Sequence, residues 1–255
     1  MAAVLQSPYM LLHRLAVRIK AQDWFAVCLE FLIVVVGVVL GFQITAWNEQ
    51  RVDRALEAEY LQRIGDELSD NKAVLESIIR SADGNLLSAP DLTEFFDGRM
   101  AASDYQRLVV AIFEFGANPL LGFDLTTFDD LVSTGRLRLI SDPEVRQAVQ
   151  RAYAGLERLV PLRDPYRDEY MAALYGWLSA SVRQRIQAAC PEYGVYAACS
   201  DLHLDDEVVR LIVERIDTRE AQLVFQTREI RLGTLRGIGQ GTLTALNQAL
   251  TQLGR

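Results

Sequence analysis

The sequence predicts an all-α fold in which one N-terminal transmembrane helix continues into a helical-bundle soluble domain. Three observations predict it. Residues 24–47 read WFAVCLEFLIVVVGVVLGFQITAW and hold a single charge, Glu30. Downstream, apolar residues recur at intervals of three and four, the helix period. No alternating stretch of useful length and no repeat of fixed period occurs. With 255 residues, 50% apolar and 24% charged, the chain has the composition of one or two folded domains. A formal charge of −8 argues against a nucleic-acid partner, which asks for a basic face.

Residues 1–23 form a basic amphipathic N-terminal segment. Met10, Leu11, Leu12, Leu15, Ala16 and Ile19 alternate there with Arg14, Arg18 and Lys20. Such a stretch suits an anionic membrane face, or is a plain cytoplasmic stub. The transmembrane helix, 24–47, would rise ~35 Å, enough for the ~30 Å hydrocarbon core. Trp24 and Trp47 at its ends suit the two headgroup levels. Two other readings stand beside it. A cleaved signal peptide could use the charge-free core 31–42, but thirty residues precede that core and no small-x-small site follows a polar break. A buried soluble helix so apolar all round would need a larger core than this chain supplies. The expected location is therefore the inner membrane, with the lipid bilayer as a partner and a single pass. Arg14, Arg18 and Lys20 stand against Arg51 and Arg54, with Arg63 at the edge of the window. The count favours an inward N-terminus and a periplasmic soluble domain.

Residues 48–82 read as a long charged helix. Leu61, Ile64, Leu68, Leu75 and Ile78 fall on a 3-4-3-4 stripe with Asn71 at one seam position. That is either a coiled-coil seam of about three heptads, whose buried Asn fixes register, or an amphipathic face packed on the same chain. The first reading makes the protein a homo-oligomer.

Residues 83–255 read as a helical soluble domain. Asp83-Gly84-Asn85 is expected to turn, and 88–98 to be loop with at most one helical turn. Ser103 is expected to cap a helix that ends at Gly116-Ala117-Asn118-Pro119. Another helix should start at Thr126 or Thr127 and stop at Gly135. Ser141-Asp142-Pro143-Glu144 is a helix start, with Ser141 as the first member of a capping box or Asp142 as the cap before Pro143. Pro161 and Pro165 break that helix, and 166–189 restarts one. Residues 190–199 form a loop, Asp205-Asp206 opens the next helix, and 220–253 is helical but interrupted by Gly233, Gly237, Gly239 and Gly241.

Chemistry is thinly represented. Cys190, Cys199, His203 and Asp201 lie close together, yet the Cys spacing fits structural zinc poorly. Cys190 and Cys199 are the only thiols of the soluble part, and a disulfide between them or two unpaired thiols are the competing readings. Gly237-x-Gly239-x-Gly241 follows no strand, so phosphate binding is not expected; glycines there kink a helix or let two helices approach. Asp129-Asp130 and Asp205-Asp206 read as helix starts rather than acid–base pairs. No hydrolase, zinc-protease or nucleotide-loop motif is present, so neither catalysis nor a cofactor is expected. Within the span, Gly37-x-x-x-Gly41 would let two helices pack closely. Glu30 lies ~9 Å of helix rise from Trp24. It either reaches the interface, meets a polar group on a membrane-protein partner, or handles protons or ions.

The segments FLIVVVGVVLGFQITAWNE, 31–49, and FDDLVSTGRLRLISDPEVRQAVQRAY, 128–153, resemble a bacterial domain-of-unknown-function family of single-pass membrane proteins. The matching residues are Trp47, Asn48, Glu49, Thr134, Gly135, Leu137, Leu139 and Ile140. The resemblance implies a Val-rich span, a charged helix and a turn into a helical domain. It implies no catalytic residues, and the C-terminal third has no counterpart in it. The expectation is a bitopic membrane protein acting through protein–protein contacts as an accessory, scaffold or sensor-like subunit. The alternative is a subunit of an ion-coupled membrane complex that uses Glu30.

Overall fold

The computed structural model describes residues 24–116, 122–163, 168–190 and 202–255. Most of them are helical and no strand occurs among the described residues, so the fold is all-α. The chain divides into two compact units, 1–56 and 57–255. Helix α1 (Trp24–Leu87) belongs to both. It is followed by α2 (Ala89–Phe96), α3 (Tyr105–Phe115), α4 (Thr126–Ser133), α5 (Pro143–Leu159), α6 (Glu169–Trp177), α7 (Ala180–Ala189), α8 (Asp206–Ile216) and α9 (Arg219–Gln252).

In the first unit the described residues are those of α1. Among the described residues one helix, near the N-terminus, is long and apolar enough to cross a membrane, with a mean hydropathy of 2.5 over its most apolar 18 residues. None of that window is buried against protein. Thr45 donates its hydroxyl to the Gly41 carbonyl at 3.0 Å, which satisfies the side chain within the helix itself.

In the second unit, α1 contributes Ile64, Leu68, Leu75, Ile78 and Ala82 to the core. Helices α5 and α9 come close where Gly155 meets Thr242. A Cβ on Gly155 would lie 2.7 Å from the Thr242 hydroxyl oxygen, so glycine permits that approach. A second centre gathers around Phe115 of α3, whose ring stands 5.2 Å from Tyr170 of α6 and 5.1 Å from Phe225 of α9. Some helix starts carry a side-chain cap: Asp142 accepts from Glu144 N at 2.8 Å, Thr218 from Ala221 N at 3.1 Å, and Ser179 from Val182 N at 3.4 Å, whereas α2, α3, α4 and α8 begin without one.

Several local expectations are corrected. Asp83-Gly84-Asn85 does not turn; α1 continues to Leu87. The buried face carries on through Ile78, Ala82 and Asn85, and its packing outweighs one glycine, which costs a helix ~1 kcal/mol. Residues 88–98 are not loop, because Ala89–Phe96 is helix with Pro90 in its first turn and Leu92 buried. Ser103 caps nothing: it sits in a 3₁₀ turn, Ala102–Asp104, that leads into α3. Asp142, not Ser141, caps α5. The helix expected over 166–189 is two helices among the described residues, broken at Leu178-Ser179, where the Ser179 hydroxyl starts the second. The glycines of α9 do not interrupt it, since buried Phe225, Leu232, Leu235, Leu246 and Leu250 hold it along its length. Gly135 does end α4 as expected: its φ of +68° is the left-handed conformation that glycine adopts without strain.

Candidate functional site

The most developed polar arrangement lies along the α1 face 57–71. Glu57, Tyr60, Ile64, Glu67 and Asn71 recur at intervals of three and four, so they share one side of the helix. Four of them fasten residues 124–141. Asn71 donates to the Asp124 carbonyl at 2.5 Å and accepts from Asp124 N at 2.8 Å, using its amide as a strand would use a peptide group. Glu67 accepts from Thr127 N at 2.7 Å through one oxygen and from the Tyr153 hydroxyl at 2.5 Å through the other. Tyr60 donates to Asp130 at 2.6 Å and accepts from Arg136 at 3.3 Å. Glu57 accepts from both Ser141 N at 2.6 Å and the Ser141 hydroxyl at 2.7 Å.

The electrostatics follow from burial. Tyr153 is fully covered, stacks on Phe128 at 4.2 Å and faces the Glu67 carboxylate. Burial first, and the Glu67 bond second, push its hydroxyl well above the ordinary tyrosine range, so it stays a donor. Asp124, which accepts from the Thr126 hydroxyl at 2.6 Å and Thr126 N at 3.0 Å, is held below the usual carboxylate range by those bonds. In chemical terms this face is a fastening, with both oxygens of Glu67 engaged.

Two further anchors have the same character. Asp168, at the start of α6, pairs with Arg228 of α9 with both side chains 4% exposed. Burial lowers the Arg228 guanidinium to about 10. Gln106 of α3 donates to the Leu204 carbonyl at 2.9 Å and accepts from Leu204 N at 3.0 Å, while Arg185 donates to the His203 carbonyl. Asn71, Arg228 and Gln106 thus each tie a helix to a segment distant in sequence, at Asp124, Asp168 and Leu204 respectively.

The residues singled out from sequence fall as follows. Ile64, Leu68, Asn71, Leu75 and Ile78 are buried within this one chain. Leu61 is half-buried and borders a cleft of about 310 Å³ with Ala58, Gln62, Val145, Leu253 and Arg255. In this structure the stripe is therefore an intramolecular face, the second of its two readings. Glu30, Gly37 and Gly41 are all exposed. Their separations of seven and four residues place them within ~40° of one another on α1. Cys190 is disulfide-bonded, Cys28 is free and exposed, and Cys199 lies outside the described residues together with Asp201. His203 is exposed, and no cluster of metal-ligating side chains occurs among the described residues. Gly239 packs on Ile79 of α1, whereas Gly233, Gly237 and Gly241 face open space.

Glu57, Tyr60, Glu67, Tyr153, Asp168, Arg228 and Gln106 were not singled out from sequence. The one available signal was the 57–60–67–71 spacing, which ends on the seam residue Asn71. Compared with protein-family models, curated proteins and solved structures, the chain matches none.

Proposed function

We propose that the chain is a bitopic membrane protein, anchored by the apolar part of α1 and acting through protein–protein contacts as an accessory, scaffold or sensor-like subunit. The observation that carries this reading is the apolar window of α1, none of which is buried among the described residues. A soluble core helix of that hydropathy would be buried, and lipid is the solvent that such a surface suits. The continuity of α1 into the folded unit supports an anchor over a cleaved leader. The resemblance of 31–49 and 128–153 to a single-pass family supports the same architecture, with the helices of 57–255 arranged as a bundle. We place that domain in the periplasm, where a Cys190–Cys199 bond would persist. No catalysis is assigned.

The second reading is a subunit of an ion-coupled membrane complex. The observation favouring it is that Glu30 shares a helix face with Gly37 and Gly41, so a helix packed on the glycines would also meet the carboxylate. Co-purification in mild detergent separates the two. A stoichiometric multispan partner lost on Glu30→Gln favours the second. Partners retained on Glu30→Gln, or partners bound to the soluble domain, favour the first.

A further inference from the structure

We propose that the outward face of α9 is a pairing surface, and that a second copy of the chain, anchored in the same membrane, packs its own α9 there in parallel and in register. Leu223, Ile230, Gly237, Thr244 and Thr251 follow one another at intervals of seven, so they lie within ~40° of Gly237 around the helix. All five are exposed, Leu223 at 54% and Ile230 at 70%. The opposite side of α9, with Phe225, Leu232, Gly239 and Leu246, is buried in the fold. The outward face is thus a helix surface that the described residues leave unpartnered.

Charge decides what can sit on it. Residues 57–255 carry 30 acidic against 21 basic residues. The exposed sides of α1, α5 and α8 hold part of that excess, at Glu59 and Asp70, Glu144 and Glu157, and Asp206 and Glu207. Two copies meeting through those helices would bring like charges together. No charged residue lies on the α9 line from Leu223 to Thr251, and Arg236 turns aside to pair with Asp83 of α1 at 2.8 Å. An identical acidic chain therefore meets least repulsion here.

The face also matches itself. In parallel register each residue meets its own counterpart, the isologous arrangement of a twofold pair. Gln226 offers an amide donor and acceptor to the other Gln226, Ile230 meets Ile230, and Gly233, Gly237 and Gly241 let the two backbones approach. A Cβ at any of those glycines would meet nothing within 4 Å in its own chain, so no internal contact accounts for the helix stability they forfeit. Thr244 and Thr251 donate their hydroxyls to the Gln240 and Asn247 carbonyls at 3.1 and 2.8 Å, so neither asks a partner for a bond. The direction follows from the anchor. Arg236 meets Asp83 and Arg255 meets Asp66, so α9 runs antiparallel to α1, and two chains held in one bilayer by α1 point the same way. Sharing a bilayer raises the effective concentration of one copy at the other.

This pairing rests on the anchored, protein-contact reading and names its partner. The test uses the full chain with Cys28→Ser in intact membranes and a short bis-maleimide cross-linker. One cysteine is added at a time, by Gln226→Cys, by Thr244→Cys, or by Glu157→Cys on the exposed side of α5 as a control. Links between copies should form at positions 226 and 244 well above those at 157. Gly237→Leu places a side chain in open space, so the chain should fold with unchanged helical content while linking at 226 and 244 falls about tenfold or more. Linking no stronger at 226 and 244 than at 157, or linking that survives Gly237→Leu, overturns the pairing. If Gly237→Leu fails to fold, the ratio of links at 226 and 244 to links at 157 in the otherwise unaltered chain decides. A chain that links at 226 to a different protein and not to itself overturns this inference and leaves the protein-contact reading standing. A chain that alkaline carbonate releases from the membrane overturns that reading instead.

Discussion

Tyr153 of α5 donates its hydroxyl to Glu67 of α1 at 2.5 Å across 86 residues of chain, and the same carboxylate accepts from Thr127 N. One buried acid thus ties three separate segments together. Removing the hydroxyl alone leaves that carboxylate short of a donor in a place water does not reach. Tyr153→Phe should lower unfolding stability by ~1–3 kcal/mol. Tyr60→Phe, whose acceptor Asp130 is only partly covered, should lose less. Urea unfolding of both variants checks the order, and an equal or reversed order contradicts it.

The Asp168–Arg228 pair predicts a non-additive pattern. Arg228→Met leaves Asp168 charged and buried, and should cost ~3–5 kcal/mol. Asp168→Asn in the same chain should restore much of that loss. A double-variant cycle by denaturant unfolding reads the coupling, and additive losses would show that the two side chains act independently.

Helix starts offer a sharper comparison. Asp142 accepts from two backbone N–H groups, whereas Ser141 bonds the Glu57 carboxylate. Asp142→Ala should lose ~0.5–2 kcal/mol and release the first turn of α5 in hydrogen exchange. Ser141→Ala should leave that turn protected.

Two acids should give opposite pH slopes. Burial raises Glu114 above 4.5 in the folded state, the Ser88 bond notwithstanding. Its contribution is fully present below the unfolded value and is lost as pH rises through the folded one. Asp124 is lowered from 3.8 by its bonds to Thr126, so its contribution is present above that value and is lost as pH falls through the folded one. Glu114→Gln should therefore flatten the loss of stability with rising pH just above 4.5, and Asp124→Asn the loss with falling pH below 3.8. Stability measured from pH 2.5 to 7 separates them, and slopes of the same sign would contradict the assignment.

Helices were legible where their apolar faces were. Val145, Ala148, Val149, Ala152, Leu156 and Leu159 mark α5, and all but Val145 are buried or packed as the spacing requires. Punctuation was less legible, because Gly84 and the α9 glycines break helices only when nothing packs along them. Ala82 and Asn85 beside Gly84, and Leu232 and Leu235 beside Gly233, are buried, and that packing depends on residues distant in sequence. The α1 fastening was hardly legible at all. Glu67 meets Thr127 and Tyr153, and Asn71 meets Asp124, through folding that no local spacing encodes. Asn71 drew notice as a coiled-coil seam residue and turned out to bond a backbone 53 residues away in its own chain.

If the exposed apolar part of α1 sits in lipid, it holds the folded unit at a membrane. Alkaline carbonate extraction of membranes from cells expressing the full chain tests it most directly. The chain should stay in the membrane pellet and enter solution only with detergent. A chain released to the supernatant by carbonate, or one whose mature form lacks residues 24–47, would contradict it.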